Sequence, residues 1–274
     1  MADRLKLGVI VELAEEASET INEACKLGVT TCQVSCWDHK NYTDANARVL
    51  KDAQRLNDIK VTTVWGGYPG PLVWNFLRGP ATIGLVPLEF RQARVDALKA
   101  GAEFAKLAGA PSLTTHAGFV PEDPGDPLYV GTIEALTEVA TYCKELGLAF
   151  HFETGQETPI TLLRLMRDIG TDNLGVNLDP ANLLMYGKAN AVDSLDILGP
   201  YVRGVHAKDG EYPTDPVRLG MEKLVGEGRV DWPALIPKLK SFGYTGAITI
   251  EREITGEQWV EDIKCAIERL TPLL

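Results

Sequence analysis

The stretch LAFHFETGQETPITLLRLMRDIGTDNLGVNLDP, residues 148–180, carries the strongest indication of the fold of this chain. It begins with a β-rich run at 148–155 and ends with another at 174–180, and the segment near 158–168 between them has the pattern of an amphipathic helix. A strand, a helix and a second strand in this order predict a parallel pair of strands, because parallel neighbours need a long crossover connection.

The same alternation of β-rich runs and amphipathic segments covers the rest of the chain. Near-continuous apolar runs such as GVIV and AITI are typical of strands that are covered on both faces. The eight predicted strands are 5–11, 31–37, 61–67, 111–118, 148–155, 174–180, 202–210 and 246–253. The predicted helices are 15–27, 43–56, 88–108, 129–146, 158–168, 191–198, 231–241 and 256–270.

The number of predicted strands favours one closed barrel over an open sheet. We therefore predict an α/β protein with a single (β/α)₈ TIM barrel domain over residues 1–274, since such barrels occupy about 250 residues. An open doubly wound sheet is the alternative, but the first strand–helix turn lacks the Gly-x-Gly-x-x-Gly pattern of dinucleotide-binding folds.

The composition is that of a globular protein with a surplus of acidic residues. Hydrophobic residues make up 45% of the chain, charged residues make up 24%, and the net charge is −11. This negative charge argues against nucleic acid or a membrane as a partner, because phosphate groups attract Lys and Arg. Five scattered cysteines without a Cys-x-x-Cys pair, and an N-terminus without signal-peptide features, predict reduced thiols and a cytoplasmic location.

Four of the predicted strands end in side chains that bind metal ions well. In barrels of this kind the working residues lie at the carboxyl ends of the strands and in the loops that follow. The fifth to the eighth strand, which are neighbours around half of the mouth, end with Glu153, Asp179, His206 and Glu251. We expect these side chains to converge on one divalent cation, and mixed oxygen and nitrogen donors suit Mn²⁺, Mg²⁺, Co²⁺ or Zn²⁺.

Each of these four residues also has a purely structural interpretation. A glutamate at a strand end is commonly a solvated rim residue, and His206 fits a hydrogen-bonded core histidine. Asp179 stands before Pro180 and fits the N-cap of the following helix. The combined pattern favours the metal site, because four independent coincidences would have to fall on four consecutive strand ends.

Several motifs, most of them in the second half of the chain, resemble one known family. The matching stretches are HFETG (151–155), NLDPANLLMYG (177–187), VRGVHAKDG (202–210) and LVGEGRVDWPALIPKLKSFGYTGAITIERE (224–253), with THAG (115–118) as a further match. They resemble the sugar phosphate isomerase/epimerase family with a xylose-isomerase-like TIM barrel. This family includes tagatose and ribulose-phosphate 3-epimerases, hydroxypyruvate isomerase, inosose isomerases and inosose dehydratases.

The resemblance implies that Glu153, Asp179, His206 and Glu251 are the metal ligands and that the two glutamates exchange protons with the substrate from opposite faces. It implies one divalent ion as cofactor, with Mn²⁺ as the first expectation and Mg²⁺, Co²⁺ or Zn²⁺ as alternatives. Such an ion stabilises the enediolate that forms when a carboxylate removes the proton next to a carbonyl. Return of the proton to the opposite face gives an epimer, and return to the neighbouring carbon gives an isomer.

Further residues near the predicted mouth are candidate substrate ligands. His116 ends the fourth strand, Lys208 lies in the motif HAKDG, and Asn182 stands where the sugar epimerases typically carry a histidine. Trp37 and Trp65 end the second and third strands and suit an apolar wall against a sugar ring. Core packing is the alternative for the tryptophans and His116, and a surface salt bridge is the alternative for Lys208.

Two other features carry expectations about structure. Glu157 is predicted to be a first-turn carboxylate of the helix near 158–168, where the helix dipole favours negative charge. The loop 66–85 is longer than a simple connection needs, and we expect it to act as a lid or as a contact within a homodimer or homotetramer.

The expected function is that of a metal-dependent isomerase or epimerase acting on a ketose, a keto-polyol or a related small sugar. A dehydratase or lyase is the alternative, since its reaction begins with the same proton abstraction and then expels a β-substituent. A trinuclear zinc endonuclease needs more ligands, and four histidines and the acidity of the chain count against it. A sugar-binding barrel without enzymatic activity is the remaining alternative.

Overall fold

Eight parallel strands form a closed barrel in the computed structural model, which describes residues 4–274. A separate two-stranded antiparallel hairpin follows the seventh strand. The barrel strands are β1 (Lys6–Glu12), β2 (Thr31–Cys36), β3 (Lys60–Gly66), β4 (Ser112–Thr115), β5 (Ala149–Glu153), β6 (Leu174–Leu178), β7 (Val202–Ala207) and β10 (Ala247–Ile250), and the hairpin strands are β8 (Asp209–Gly210) and β9 (Glu222–Lys223).

Helices follow the strands and surround the barrel. They are α1 (Ala17–Lys26), α2 (Asp44–Asn57), α3 (Arg91–Ala108), α4 (Pro127–Glu145), α5 (Pro159–Ile169), α6 (Pro180–Met185), α7 (Ala191–Leu198), α8 (Trp232–Ser241) and α9 (Glu257–Leu270). None of the helices within residues 4–274 combines the length and the apolar character needed to cross a lipid bilayer.

The barrel closes because its first and last strands are hydrogen-bonded to each other. Every barrel strand pairs in parallel with its neighbours in chain order, and β10 pairs with β1 in a register that sets Lys6 opposite Ala247. The predicted (β/α)₈ barrel is therefore confirmed, and the open doubly wound sheet is excluded.

The core lies inside the barrel and between the barrel and its helices. All six residues of β2 and all four residues of β4 are buried, as expected for strands that are covered on both faces. The helices bury one face each. In α3 that face consists of residues at helical spacing, among them Val95, Leu98, Ala102 and Ala105.

The structure differs from the predicted boundaries mainly at the carboxyl ends of the strands. The predicted strands 111–118, 174–180 and 246–253 end two or three residues earlier than expected, where the chain leaves the hydrogen-bonded ladder and turns over the barrel mouth. Helix α6 and the β8–β9 hairpin were not predicted. Helix α6 has six residues and each hairpin strand has two, which is too short for a hydrophobic period to show.

The long connection between β3 and α3 is packed against the barrel mouth. The buried guanidinium of Arg94 donates hydrogen bonds to the carbonyl oxygens of Pro69, Pro71 and Gly84, and it lies 4.5 Å from the ring centre of Tyr68. Gly84 has a φ of 72° and forms a bridge to Gly118, where any Cβ would collide with the backbone. These contacts hold the loop against the barrel mouth. Its role as a lid or as an oligomer contact stays a prediction.

Candidate active site

The four predicted metal ligands lie on adjacent strands at the carboxyl-end mouth of the barrel. Glu153 is the last residue of β5, Asp179 follows β6, His206 is the penultimate residue of β7, and Glu251 follows β10. These four strands are consecutive neighbours around the barrel. The order of strands thus brings together residues that lie nearly a hundred positions apart in the chain.

The side chains of these residues converge on one point. One ligand atom from each of the four lies within 4.8 Å of all the others. The Nδ1 atom of His206 is 3.1 Å from Glu251 Oε2, 3.4 Å from Glu153 Oε1 and 3.6 Å from Asp179 Oδ2. The sequence-based prediction that these four side chains meet is consistent with this geometry.

The residues present fit a divalent cation. Asp179 Oδ2, His206 Nδ1 and Glu251 Oε2 are buried, and none of them has a hydrogen-bond partner among the described residues. Buried polar atoms normally make hydrogen bonds, so three buried atoms that make none and face one another indicate a shared ligand. Three carboxylates and one imidazole form the oxygen and nitrogen donor set of Mn²⁺, Mg²⁺, Co²⁺ or Zn²⁺ sites. Glu153, Asp179, His206 and Glu251 would hold the ion.

A hydrogen-bond relay orients the histidine. The Nε2 atom of His206 is 2.9 Å from Gln33 Oε1, and the Nε2 group of Gln33 donates to Asn177 Oδ1 at 3.0 Å. Because the Gln33 oxygen is an acceptor, it requires the proton of the imidazole to be on Nε2. The Nδ1 atom is then left free to face the carboxylates, which is the arrangement of metal-binding histidines with an outer hydrogen-bond partner.

Asp179 has two roles in the structure, one for each carboxylate oxygen. Its Oδ1 atom accepts a hydrogen bond of 2.8 Å from the backbone N–H of Asn182 and so caps helix α6. Its Oδ2 atom points to the ligand cluster. The capping interpretation and the metal-ligand interpretation of this residue are therefore compatible.

Positive charge is needed to hold three carboxylates this close together. Burial alone lowers the pKa of His206, but the charges of Glu153 and Glu251 outweigh burial and raise it well above its usual value. In the same way burial lowers the pKa of Lys208, whereas the charges of Glu251 and Glu253 raise it well above its usual value. A divalent cation among the carboxylates would take over the charge that the proton on His206 supplies.

Aromatic side chains form one wall of a cavity of about 820 Å³ next to the ligand cluster. The indole N–H of Trp65 donates to Glu153 Oε2, and the rings of Trp37 and His116 pack against Trp65 at 5.1 Å and 5.2 Å between ring centres. Trp74, from the loop before α3, contacts His116 and Trp37. Trp37, Trp65 and His116 thus line the cavity. This position is necessary for the predicted contact of these residues with a substrate.

Asn182 and Lys208 also lie beside the ligand cluster. The side-chain amide of Asn182 donates a hydrogen bond of 3.0 Å to Glu153 Oε1. The ammonium of Lys208 is 2.6 Å from Glu253 Oε1 and 3.3 Å from Glu251 Oε2, and its side chain is only 2% exposed. It is a buried partner of the carboxylates, and its proposed contact with substrate stays a prediction.

The prediction for Glu157 is wrong. Helix α5 begins at Pro159 with Thr158 as its N-cap, so Glu157 lies before the helix and not in its first turn. The carboxyl group is buried, neither of its oxygens has a hydrogen-bond partner among the described residues, and burial raises its pKa to about 8. Desolvation by the surrounding core therefore outweighs any stabilisation of a negative charge by the helix dipole.

The raised pKa of Glu157 predicts a pH-dependent cost in stability. Between its unfolded value of about 4.5 and its folded value of about 8, the unfolded state binds fewer protons, so the free energy of unfolding falls as pH rises through this window. We expect Glu157→Gln to match the wild type at pH 5 and to be more stable by roughly 1–3 kcal/mol at pH 8.5. Urea unfolding at both pH values measures the difference, and a difference that does not change with pH would contradict the prediction.

Sequence reasoning missed the residues that support the cluster from a distance. Gln33 and Asn177 are polar residues inside β2 and β6 and are buried in the barrel, and Trp74 lies in an irregular loop. A buried amide within an apolar strand was the available signal for Gln33, because such a side chain must find a hydrogen-bond partner. No comparable pattern in the sequence singles out Trp74.

The fold and the site together define the class of this protein. It is a (β/α)₈ barrel with a candidate metal site of carboxylate and imidazole groups at the carboxyl-end mouth. Residues 21–270 match the profile of the family described as xylose isomerase-like TIM barrel. The chain therefore belongs to the xylose isomerase-like TIM barrel family.

Individual relatives support the assignment. The crystal structure of a xylose isomerase domain protein from Planctomyces limnophilus has a TM-score of 0.93 and 33% sequence identity, over 99% of this chain and 98% of that chain. The structure of a D-tagatose 3-epimerase-like protein has a TM-score of 0.75 and 19% identity, over 98% and 97% of the two chains, which shows the fold alone. An inosose dehydratase from Geobacillus kaustophilus is 28% identical over 144 residues, 47% of this chain and 46% of that protein. The chain spans only 46–58% of the curated relatives that it matches.

Proposed function

We propose that this protein is a divalent-metal-dependent isomerase or epimerase that acts on a ketose, a keto-polyol or a related small sugar. The observation that carries the proposal is the convergence of ligand atoms of Glu153, Asp179, His206 and Glu251 within 4.8 Å of one another beside a cavity, with three buried ligand atoms that make no hydrogen bond to the described residues. The position of this cluster at the carboxyl-end mouth agrees with the location of active sites in barrels of this class.

Glu153 and Glu251 are suited to exchange protons with a substrate from two sides. Glu153 ends β5 and Glu251 follows β10, and the strands that carry the other two ligands, β6 and β7, lie between them, so the two carboxylates approach the cavity from opposite ends of the cluster. One carboxylate removes the proton from the carbon next to the substrate carbonyl, and the other returns a proton to the opposite face or to the neighbouring carbon. The bound divalent ion supplies stabilisation of the negative charge that develops on the substrate oxygens.

The other predicted substrate ligands are suited to position the sugar. Trp65 and Trp37 offer apolar ring surface to the C–H face of a sugar, and His116 and Asn182 offer hydrogen bonds beside Glu153. Lys208 neutralises Glu251 and Glu253 and thereby supports the cluster from its buried side. We propose Mn²⁺ as the metal because of the family resemblance, with Mg²⁺, Co²⁺ or Zn²⁺ as alternatives.

A dehydratase or lyase is the second candidate function. The relative from Geobacillus kaustophilus is an inosose dehydratase, and elimination begins with the same proton abstraction as isomerisation. The two reactions separate after that step. An isomerase returns the proton to carbon, whereas a dehydratase or lyase expels a β-hydroxyl or a β-linked group.

Incubation of the Mn²⁺-loaded protein in deuterated water with ketoses, inososes and 3-keto-glycosides tests the proposal. Deuterium incorporated next to the carbonyl, detected by NMR together with an epimer or isomer, supports an isomerase or epimerase. Loss of water or of a linked group supports the second candidate. Absence of deuterium from every sugar, with the metal bound, would overturn the proposed reaction class.

Metal binding is tested separately through Asp179. Asn is as good an N-cap as Asp, so Asp179→Asn should keep the cap on α6 and lose one anionic ligand. We expect the affinity for Mn²⁺ to fall by at least about a hundredfold, because even changes outside the ligand shell cost about 10–100-fold. Calorimetric titration with MnCl₂ measures the affinity, and thermal unfolding without metal should show that the variant is as stable as the wild type. Wild-type affinity in Asp179→Asn would exclude this residue as a ligand.

A further inference from the structure

We propose that the cavity binds an uncharged sugar that carries a second ring or an apolar group, with Trp37 and Trp74 as an outer subsite, and that it selects against phosphorylated and carboxylated sugars. The inference names the substrate class of the proposed enzyme and therefore rests on the proposed function. Three features of the cavity support it: its volume, its aromatic mouth and its charge.

The cavity is larger than one sugar ring requires. Its volume of about 820 Å³ lies in the upper part of the roughly 300–1,000 Å³ range of sites that bury a drug-sized molecule. A single hexose has about half as many atoms as such a molecule. A hexose at the ligand cluster therefore leaves room for a second group of similar size between the aromatic wall and the segment 252–260.

The aromatic wall has an inner and an outer layer. Trp65 is 4% exposed and donates its N–H to Glu153, so it belongs to the inner layer beside the ligand cluster. Trp37 packs on Trp65 and is 36% exposed, and Trp74 is 40% exposed with its ring centre 6.4 Å from that of Trp37. Exposed tryptophans at the mouth of a cavity favour a ligand that stacks a second ring or an apolar group there.

The lining of the cavity is strongly acidic. Five glutamates line it, namely Glu12, Glu23, Glu153, Glu251 and Glu253. Among the described residues that line it, Arg252 is the only lysine or arginine. Its guanidinium is already held by Glu222 at 3.0 Å and by Asp262 at 2.7 Å. The one arginine of the lining is therefore already paired and is not available to bind a phosphate or a carboxylate. The glutamates of the lining repel such a group.

The remaining positive groups near the mouth are also neutralised. Lys208 pairs with Glu251 and Glu253. With three carboxylate ligands, one divalent ion and Lys208, the cluster carries no surplus positive charge. Gly256, the N-cap of helix α9, lines the cavity, but Glu257 in the first turn of the helix supplies the negative charge that a helix N-terminus favours. The charges of the cavity therefore favour an uncharged ligand.

Isothermal titration calorimetry of the Mn²⁺-loaded protein tests the inference without requiring turnover. The ligands are D-fructose, lactulose as a ketose that carries a second sugar ring, and D-fructose 6-phosphate. We expect lactulose to bind about tenfold more tightly than D-fructose, and D-fructose 6-phosphate to bind at least about tenfold more weakly. Trp74→Ala, which changes a residue assigned only to the outer subsite, should weaken lactulose binding by about tenfold and change D-fructose binding by less than about twofold, whereas Trp74→Phe keeps most of the affinity for lactulose.

Tyr212→Ala is the matched control, because Tyr212 is an exposed aromatic residue that does not line the cavity, and it should change no affinity. Equal affinities for D-fructose and lactulose, tighter binding of the phosphate, or no binding of lactulose would overturn the inference. Selective binding of lactulose, combined with the absence of deuterium exchange in every sugar of the panel, would contradict the proposed reaction and leave the inference about ligand binding standing.

Discussion

Glu251→Gln is expected to slow deuterium exchange next to the substrate carbonyl by about 10²–10⁴-fold, the contribution of a positioned acid or base. Glu153→Gln should have an effect of the same size, because the two carboxylates serve opposite sides of the substrate in the proposed reaction. The glutamine keeps the shape of the side chain and an oxygen for the cation, but it cannot accept a proton. Rates are measured by NMR in deuterated water with the substrate that the panel identifies.

Two controls separate loss of the base from loss of the metal or of the fold. Each variant is assayed at MnCl₂ concentrations that saturate it, as established by calorimetric titration. Glu157→Gln alters a buried glutamate that does not line the cavity and should keep the exchange rate within about threefold at pH 7. If Glu153→Gln and Glu251→Gln both exchanged deuterium at the wild-type rate, the proton-transfer roles would be wrong.

Arg94→Ala is expected to lower the free energy of unfolding by about 3–5 kcal/mol, the range for breaking a buried charged network. The guanidinium of Arg94 is fully buried and donates to three backbone carbonyl oxygens of the loop between β3 and α3. The alanine leaves these carbonyls without their donor and opens a cavity beside Tyr68. Arg94→Lys should recover little stability, because one ammonium cannot match the fork of the guanidinium.

Chemical unfolding and hydrogen exchange together test the role of Arg94. Exchange of backbone amides in the loop 67–90 should accelerate in Arg94→Ala before the barrel strands are affected, since the arginine holds this loop against the mouth. Arg48→Ala, which removes an exposed ion pair with Asp44, is the control and should cost less than about 0.5 kcal/mol. A loss below about 1 kcal/mol in Arg94→Ala would show that the loop is held by other contacts.

The amino-acid sequence was sufficient to predict the barrel and the identity of the candidate metal ligands. Apolar runs of strand length alternate with helical periods eight times, and this pattern fixes the layers of an α/β barrel. Because all parallel strands of such a barrel end at one mouth, a polar residue at a strand end has a known position. Glu153, Asp179, His206 and Glu251 were predictable for this reason.

The supporting contacts of the site were not predictable, because they join distant parts of the chain. The pair His206–Gln33 spans 173 residues and the pair Trp65–Glu153 spans 88, and no local pattern specifies either contact. Burial is likewise a property of the packed molecule. The helix that follows Glu157 in the sequence predicts a first-turn carboxylate whose charge the helix dipole favours, yet the packed core removes its solvent and raises its pKa.

Sequence patterns record only how residues repeat along the chain, which is enough to place strands, helices and strand-end ligands. The three-dimensional packing established which oxygen of Asp179 caps α6 and which one faces the cluster, and it showed that Lys208 is a buried partner of Glu251 and Glu253. The physical reason is that hydrogen bonds and ion pairs depend on distances of a few ångströms between side chains, and only the packed barrel sets those distances.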